Sequence, residues 1–412
     1  MKILVVNQYY APDKAGSSLL LASLCEGLAE KGFEVDVVCG FPSYTDDAPD
    51  SSAVSLKDNL TVMRVSTAGA KGRSSIRRRI QGYLGFLMFS TSKVFGLCRR
   101  KRYDVILTLS NPPLVGLIGV LVRRVYKTPF VYVLHDIHPD ILVRTGRVRE
   151  GCLTRLWDRV NHVVLHGADA VVVLSWRMAR YIEDHKEVAK DKTAVIPNWS
   201  MGNLKPLSRQ NRFREDHTLG DSLVVLYAGN MGVLHNLECL VESAKELQSE
   251  NVKFLFVGEG EKRAVLEREV IDSGLNNVCF LPYQDEGLLN EMLCAADVCV
   301  VALEPHLVGL AVPSKTYPIL AAGRPILAVT GTDDDIADVV KHWDCGWIAG
   351  NTAEVTALIR HLLYHPEEMA QCGSNARQAH EKEYSRENAI EMYTSLIAKT
   401  GRDGSRPKDA KE

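Results

Sequence analysis

The feature that most constrains the fold is a repeated alternation of short apolar segments with longer stretches of helical periodicity. Short apolar runs of this kind are typical of strands that are buried on both faces of a parallel sheet. The first series predicts strands at Lys2–Asn7, Phe33–Cys39, Val105–Leu109, Phe130–Leu134, Ala170–Leu174 and Thr193–Ile196. The second series predicts strands at Leu223–Ala228, Lys253–Val257, Val278–Leu281, Val298–Ala302 and Pro325–Val329. The pattern therefore predicts an α/β protein with two doubly wound, Rossmann-like sheets.

The length supports a division into domains. At 412 residues the chain exceeds the roughly 250–300 residues that one hydrophobic core usually organises. We predict a first domain over 1–200, a polar linker over 201–219 and a second domain over 220–380. A helical pattern after Pro366 continues through about Ile397, and its part over about 381–398 is predicted to cross back to the first domain. The charged tail 400–412 is predicted to be disordered.

Composition excludes some classes of protein. With 46% hydrophobic residues, 24% charged residues and a net charge of −2, the chain is typical of soluble globular proteins and has no overall attraction to nucleic acid. Ten scattered cysteines without a C-x-x-C pair fit free thiols in a reducing compartment. The strand-like start MKILVVNQYY does not match a signal peptide. We therefore expect a cytoplasmic protein.

The segment Glu304–Val329 predicts an anion-binding loop. Ser314 is predicted to be an N-cap, Lys315 places a cation in the first helical turn, and Gly323 ends the helix. The preceding loop, Leu307–Pro313, would direct backbone N–H groups toward a ligand. A helix N-terminus with a lysine favours a diphosphate. The alternative is an ordinary connection with a solvated lysine.

Glycine-containing loops follow several predicted strands. They are QYYAPDKAGSS with Gly16, YAGNMG with Gly229 and Asn230, and VGEGEKR with Glu259, Gly260 and Arg263. None contains the complete G-x-G-x-x-G of a dinucleotide fold, so a nicotinamide cofactor is disfavoured. Gly16 alone could equally be a turn glycine. The loops of the second half, together with Lys315, predict a nucleotide diphosphate at the strand ends.

The stretch LHDIHPD at 134–140 holds the catalytic candidates of the first half. His135 and Asp136 follow a predicted strand, where a histidine can donate a hydrogen bond or move a proton. The alternatives are a structural histidine and a metal site formed with His138 and Asp140, which lacks supporting ligands elsewhere. Asp333–Asp335 similarly suggests a metal site, but its place before a helix favours an N-cap.

The basic segment Lys71–Arg102 encloses an apolar stretch. Arginines stand at its two ends, at Arg77, Arg78, Arg79, Arg99 and Arg100. Polar residues interrupt the apolar part, so an amphipathic helix at an anionic membrane surface is favoured over a membrane span. The alternative is a core helix with solvated arginine ends.

These motifs together resemble the family 4 glycosyltransferases of the GT-B architecture, particularly the WbuB-like branch of bacterial surface-polysaccharide enzymes. The resemblance covers nearly the whole chain. Its motifs are the Gly16 loop, HDIHPD, VIPNW (195–199), YAGNMG, FVGEGEKR, AADV (295–298) and VPSKTYPILAAGRP (312–325). It implies two Rossmann-like domains that face a central cleft, the first binding an acceptor and the second a nucleoside-diphosphate sugar.

The resemblance also assigns roles to residues. The donor would be held by Gly16, Gly229, Asn230, Glu259, Gly260, Ser314 and Lys315, with Arg263 assisting, Tyr283 near the base, and Gly309, Leu310, Ala311 and Val312 near the sugar and phosphate. His135, with Asp136, would lie beside the transferred sugar. The resemblance further implies transfer with retention of configuration, no metal and no cofactor, and a lipid-linked glycan acceptor at the inner face of the plasma membrane.

Two departures from the family pattern leave the donor open. Many members carry two glutamates at positions that hold Leu310 and Pro318 here, and an arginine and a lysine that are absent from GNMGVLHN. A non-catalytic sugar-nucleotide-binding or scaffold subunit and a sugar-nucleotide epimerase are therefore alternatives. The base, the sugar, the linkage, the acceptor and the oligomeric state are not predicted.

Overall fold

The computed structural model describes residues 1–13, 17–42, 53–66, 76–112, 114–233, 235–304 and 307–404, without the side chains of 53–57, 76–80 and 402–404. The chain forms two compact units. Unit 1 contains Met1–Pro197 and the chain from Glu387 onward, and unit 2 contains Asn198–Arg386. Each unit has its own sheet, which confirms the predicted pair of Rossmann-like domains.

Unit 1 is built on an 8-stranded sheet with the order β3-β4-β2-β1-β5-β6-β7-β8. Its strands are β1 Lys2–Val6, β2 Glu34–Gly40, β3 Ala53–Lys57, β4 Leu60–Val65, β5 Val105–Leu109, β6 Phe130–Val133, β7 Ala170–Val173 and β8 Thr193–Val195. Only the pairing of β3 with β4 is antiparallel within the described sheet. The central strands β1 and β5 are buried along nearly their whole length, as expected for a sheet covered on both faces.

The helices of unit 1 connect these parallel strands. They are α1 Ser18–Glu30, α2 Ile76–Arg100, α3 Gly116–Tyr126, α4 Asp140–Arg144, α5 Cys152–Gly167, α6 Trp176–Lys186 and, near the end of the chain, α15 Arg386–Gly404. The sequence marks Leu20, Leu24 and Leu28 as one face of α1; Leu24 and Leu28 are buried, and Leu20 is half-buried. Ile390 of α15 lies directly against Gly27 of α1, where an added Cβ would be 2.5 Å from its Cδ1. The return of the last helix to the first domain is thereby confirmed.

Unit 2 has a 6-stranded parallel sheet with the order β11-β10-β9-β12-β13-β14. Its strands are β9 Leu223–Ala228, β10 Val252–Val257, β11 Val278–Leu281, β12 Val298–Ala302, β13 Ile326–Val329 and β14 Gly346–Ala349. Its helices are α7 Arg212–Asp216, α8 Glu238–Glu246, α9 Arg263–Asp272, α10 Leu289–Ala295, α11 Thr316–Ala321, α12 Asp335–Trp343, α13 Thr352–Leu362 and α14 Pro366–Ala379. Alternate residues of the strands belong to two separate apolar clusters, one on each face.

The structure corrects the predicted linker. Its polar segment contains helix α7 and packs onto unit 2 through Arg214, whose side chain is 1% exposed. The Arg214 guanidinium donates to the carbonyl of Ala295 at 2.6 Å and to the carbonyl of Gly220 at 2.7 Å. From the sequence, a buried arginine that donates to backbone carbonyls cannot be distinguished from an arginine in a solvated linker. The polar composition of this segment therefore led to a wrong prediction.

The C-terminal prediction also needs correction. The helical pattern after Pro366 is interrupted, because a π-helical turn at His380–Tyr384 is followed by extended Ser385, and α15 starts only at Arg386. Thr400–Gly404, predicted to be disordered, belong to α15. Residues 405–412 lie outside the described residues. Strands β3, β4 and β14 were not predicted from the sequence.

Candidate functional site

The carboxyl ends of β9, β10 and β11 carry loops that are joined by backbone hydrogen bonds. The Gly229 N–H donates to the Val257 carbonyl at 2.8 Å, and the Gly258 N–H donates to the Leu281 carbonyl at 3.0 Å. Further out, the Met231 N–H donates to the Glu259 carbonyl at 2.8 Å. Because neighbouring parallel strands end at one edge, the two predicted glycine loops become a single surface.

Glycine is required where these loops meet. A Cβ on Gly258 would lie 2.2 Å from the Gly229 carbonyl oxygen, and one on Gly260 would lie 2.4 Å from the Met231 carbonyl oxygen. Both glycines also have positive φ, 133° and 155°. The glycines therefore serve the close approach of two backbones and not only the approach of a ligand.

Lys315 lies over the ring of Tyr227, at the end of β9. Its Nζ is 3.7 Å from the ring centroid and also donates a hydrogen bond to the Tyr227 hydroxyl. That hydroxyl in turn donates to the Asn230 carbonyl at 2.6 Å. A Cβ on Gly229 would lie 2.6 Å from Cε of Lys315, so this glycine leaves room for the lysine stem. The sequence placed Lys315 at the site but did not identify Tyr227, whose only signal was its place just before the glycine loop.

Burial changes the proton affinity of this pair. Desolvation lowers the pKa of Lys315 to about 7. Burial, and to a lesser degree Tyr283, raises the pKa of Tyr227, so the phenol stays protonated. A lysine with this pKa exchanges its proton near neutral pH, and an arriving anion would favour its charged form.

His235 is a second group that sequence reasoning missed. Its Nδ1 lies 2.8 Å from the Ala302 carbonyl at the end of β12. Burial, followed by the nearby charge of Lys315, lowers the pKa of His235 to about 4. The ring is thus a neutral imidazole at physiological pH.

The predicted role of Ser314 as an N-cap is wrong. Helix α11 begins at Thr316, its N-cap position is Lys315, and no side chain caps it. Ser314 is exposed. The predicted end is confirmed, since Gly323 has φ +62° and its N–H donates to the Leu320 carbonyl at 3.1 Å. Lys315 is therefore distinguished by its burial and its contact with Tyr227, because α11 is a short helix of 6 residues.

The loop before α11 uses part of its own hydrogen-bonding capacity. The Gly309 N–H donates to the Asp335 carboxylate at 3.3 Å, and the Leu310 N–H donates to the Leu307 carbonyl at 3.0 Å. The Leu310 side chain is 0% exposed. The amides of Gly309 and Leu310, which were predicted to face the donor, therefore already have partners. The residues Ala311 and Val312 are half-buried. Asp335 was not assigned to this loop from the sequence.

Pro318, at the second position that holds glutamate in many family members, lies in the first turn of α11. A proline is tolerated there because the N–H that it lacks has no intrahelical partner in any case. Pro318 and Lys315 line a small apolar cavity of about 60 Å³ together with residues of β9 and α10. The substitution therefore replaces a carboxylate with an apolar wall beside the lysine.

The remaining predicted donor residues lie around the same edge. The Arg263 guanidinium donates to the Glu259 carboxylate at 2.7 Å, to the Glu267 carboxylate at 2.8 Å and to the Gly258 carbonyl at 2.6 Å. Arg263 is thus engaged in holding its own loop. Tyr283, 57% exposed, follows β11. Gly16 lies outside the described residues.

In unit 1, His135 and Asp136 follow β6 and are half-buried. The backbone N–H of His135 donates to the Ser110 hydroxyl, at the end of β5, at 3.0 Å. Burial lowers the pKa of His135, and the Asp136 carboxylate partly opposes this shift. His135 is therefore a neutral imidazole that can donate or accept a hydrogen bond.

The other two polar residues of the motif have structural contacts. The His138 ring stacks on Trp157 with centroids 5.6 Å apart. Asp140 accepts hydrogen bonds from the Tyr181 hydroxyl and from Lys186 Nζ, each at 2.8 Å. These contacts stabilise unit 1. We therefore assign Asp140 a structural role, in contrast to the roles predicted for His135 and Asp136.

The acidic run Asp333–Asp335 begins α12, as predicted. The Asp334 carboxylate caps this helix by accepting from the Ile336 N–H at 2.9 Å. In the described part of the chain, the His, Cys, Asp and Glu side chains that meet metal-ligand spacing are instead His361, His365 and Glu368.

Helix α2 carries the predicted basic and apolar surface. Leu84 and Met88 are 57% and 62% exposed, while Phe86 and Val94 are buried. Arg99 and Arg100 are exposed in its last turn, and the side chains of Arg77–Arg79 lie outside the described residues. Within the described chain, no helix has the length and apolar character that crossing a bilayer requires.

Another groove of unit 2 lies away from these loops. A groove of about 810 Å³ in unit 2 is lined by residues such as Leu223, Asp297 and Pro325, which stand at the amino ends of strands. It is therefore at the edge of the sheet opposite Lys315. Its charged side chains are equally divided in sign, with Arg209, Arg324 and Arg377 against Asp221, Asp297 and Glu381. We place the site at the loop edge, where the glycines and Lys315 converge.

Comparison with known proteins agrees with this geometry. Residues 15–199 match the glycosyl transferase 4-like domain, and residues 222–365 match the glycosyl transferases group 1 domain. The chain belongs to the family 4 glycosyltransferases of the GT-B architecture.

Among similar proteins, WcaI of Escherichia coli K12, named for colanic acid biosynthesis, is 26% identical over 418 residues, which cover 96% of this chain and 100% of WcaI. Sucrose-phosphate synthase from Thermosynechococcus elongatus has a TM-score of 0.76 at 20% identity, covering 98% of this chain and 100% of that one. Anabaena HepE in complex with UDP has a TM-score of 0.73 at 16% identity, covering 97% and 100%. The glycosyltransferase therefore has relatives in polysaccharide biosynthesis, and the solved structures share its fold.

Proposed function

We propose that this glycosyltransferase transfers a sugar from a nucleoside diphosphate to a lipid-linked glycan with retention of anomeric configuration. The observation that carries the proposal is Lys315, held over Tyr227 at the joined loops of β9 and β10. A desolvated cation at the carboxyl edge of a parallel sheet suits a diphosphate. Unit 2 is then the donor-binding unit and unit 1 the acceptor-binding unit.

The proposed chemistry depends on stabilising the leaving group. As the glycosidic bond breaks, negative charge develops on the departing diphosphate and positive charge on the sugar ring. Protonated Lys315 takes up the former charge, aided by the amides of Ala311 and Val312, and no metal ion takes part. His135, as a neutral imidazole, supports a sugar hydroxyl or the incoming hydroxyl, with Asp136 beside it.

Uridine is the first base to test. HepE, which shares the fold, has been solved with UDP and with UDP-glucose. Tyr283 is exposed beside the joined loops and can stack on a base. The replacement of the family glutamates by Leu310 and Pro318 leaves the ribose contacts open, so other bases belong in the same panel.

The test is a panel of nucleoside-diphosphate sugars measured first by thermal shift and then by product analysis. A ligand at about 100 times its dissociation constant should raise the free energy of unfolding by roughly 2.7 kcal/mol. Transfer to a lipid-linked acceptor with retained configuration supports the proposal. An inverted product would overturn the retaining mechanism, and conversion of the donor without acceptor would indicate an epimerase.

The second candidate is a non-catalytic sugar-nucleotide-binding subunit, favoured by the buried Leu310 and by Pro318. It predicts that a donor raises the melting temperature while neither hydrolysis nor transfer occurs with any acceptor. Restoring the glutamate in a Pro318→Glu variant separates the two functions, because a gain of turnover would show that only this carboxylate was missing.

We further propose that α2 attaches the enzyme to an anionic membrane. Exposed Leu84, Met88 and Phe89 provide apolar surface, and Arg99 and Arg100 provide positive charge in the last turn of the same helix. A Leu84→Ser, Met88→Ser double variant should lose cosedimentation with anionic vesicles at low salt. The control is Ile271→Ser on α9, an apolar residue of unit 2 that is even more exposed, at 76%. Equal binding by the α2 variant and the control contradicts this proposal.

A further inference from the structure

The turn between α13 and α14 brings two imidazoles and a carboxylate together. His361 lies in the last turn of α13, His365 is the N-cap residue of α14, and Glu368 lies in the first turn of α14. One potential ligand atom from each residue lies within 4.8 Å of the others. The two rings stack with centroids 4.0 Å apart, and His361 Nε2 lies 2.9 Å from a Glu368 carboxylate oxygen.

The backbone fixes this arrangement. The His365 N–H donates to the Leu362 carbonyl at 3.3 Å, and the Glu368 N–H donates to the His365 carbonyl at 3.2 Å. The positions from which the three side chains start are therefore set by the turn, and only the torsions of one exposed and two half-buried side chains need to adjust. In a tetrahedral zinc site with bonds of about 2.0–2.2 Å, ligand atoms are roughly 3.4 Å apart, a short movement from the observed spacing.

A second observation points to metal binding. His365 Nδ1 lies 3.1 Å from the Glu367 carboxylate. A carboxylate bound to one ring nitrogen orients the ring and leaves the other nitrogen as the ligand, which is the usual outer contact of a metal-bound histidine. His365 Nε2, His361 Nε2 and a Glu368 oxygen then form a two-histidine, one-carboxylate set with a position left for water or another ligand.

We propose that His361, His365 and Glu368 bind Zn²⁺ and that the ion ties α13 to α14. Neutral imidazole and carboxylate ligands suit zinc better than magnesium, which prefers oxygen ligands alone. The site is remote from Lys315. Helix α13 runs back from the carboxyl end of β14, and Arg360 near its end pairs at 3.6 Å with Glu250, which precedes β10. The ion therefore has a structural role and is independent of the proposed transfer chemistry.

The test titrates ZnCl₂ into the full-length protein after chelator treatment, by calorimetry and by thermal shift, with MgCl₂ as the comparison ion. One zinc per chain should bind and raise the melting temperature, and magnesium should do neither. Loss of even an outer contact weakens metal sites about 10–100-fold, so His361→Ala and Glu368→Gln should each weaken zinc binding by at least roughly tenfold.

The chain offers a matched control in α5. The His162 and His166 rings are also in contact, with centroids 3.9 Å apart and their planes tilted by 33°, but they are not part of a metal-ligand cluster in the described chain. A His162→Ala variant should retain the full response to zinc. Zinc binding that survives a His361→Ala, His365→Ala double substitution, or that disappears equally in His162→Ala, overturns the proposal. The proposal is also overturned if the folded wild-type protein neither binds zinc nor gains melting temperature when zinc is added.

Discussion

The loop edges of the two units differ in how they hold their reactive groups. In unit 2, the loops after β9 and β10 are joined by backbone hydrogen bonds, and Lys315 is placed by the Tyr227 ring and the space at Gly229. In unit 1, the polar motif after β6 is divided, since His138 stacks on Trp157 and Asp140 binds Tyr181 and Lys186.

The difference shows that the residues of one sequence motif need not share one role. In unit 2 the candidate site depends on the conformation of the backbone, and glycines make that conformation possible. In unit 1 the same short stretch serves both stability and the proposed chemistry, so adjacent residues have different roles. The following predictions test that contrast.

The largest effect is expected at Lys315. A Lys315→Ala variant should lose roughly 10³-fold in kcat, because removal of one group that stabilises developing charge costs about 10²–10³-fold. Kinetics with the donor found in the panel measure this loss. The matched control is Lys341→Ala, which removes a lysine bound at 2.7 Å to the Thr332 carbonyl. If both variants retain full turnover, Lys315 is not the leaving-group cation.

The second largest effect is expected at His135. A His135→Ala variant should lose on the order of 10²-fold in kcat, the lower range for a group that exchanges a proton or hydrogen bond in the transition state. His138→Phe keeps a ring for stacking on Trp157 and should leave kcat nearly unchanged. Equal losses in the two variants would show that the motif acts as one structural unit, which removes the contrast drawn above.

One methyl group added where the loops are joined should lower the stability of the protein. Gly258→Ala places a Cβ 2.2 Å from the Gly229 carbonyl oxygen at a φ of 133°, and should reduce the free energy of unfolding by about 1–3 kcal/mol. Gly287→Ala is the control, because a Cβ there meets nothing within 4 Å. Chemical denaturation of both variants measures the difference. Equal stability would mean that the loops separate at little cost.

The smallest predicted effect is a pH dependence of nucleotide binding. Burial lowers the pKa of Lys315 to about 7, so the free enzyme loses this charge as the pH rises above 7. Diphosphate binding favours the protonated form, and the dissociation constant of the nucleotide should increase up to about tenfold per pH unit above 7. Calorimetry in buffers of different ionisation enthalpy should also detect proton uptake.

Lys315→Arg provides the control for that pH dependence. Arginine stays charged throughout this range, so its variant should bind nucleotide with little change above pH 7. A wild-type dissociation constant that is flat from pH 7 to 9 contradicts the assignment of a neutral lysine to the free site.

Much of the fold follows from local pattern. The apolar runs that predicted strands β5, β9 and β12 have the observed bounds, because strands buried on both faces have no polar residues to obscure them. By contrast, β3, β4 and β14 at or near the sheet edges were missed; in β4 and β14, half-buried positions interrupt the continuous buried run that marks the other strands.

The candidate site shows the same limit. The sequence led to Lys315 and the glycine loops, because a glycine or a single lysine that follows a predicted strand can be recognised from the sequence alone. Tyr227, His235 and Asp335 were missed, since each acts through a neighbour that is remote in the chain.

By itself, the sequence determined the two parallel α/β domains and the family, and it predicted a ligand site at the strand ends. Only the tertiary structure decided which groups are available there. It buried Leu310, engaged the Gly309 amide with Asp335, placed Lys315 on Tyr227 and bound Asp140 to Lys186. The reason is physical: periodicity reports burial along one element, whereas desolvation and hydrogen bonding depend on atoms that other elements bring near.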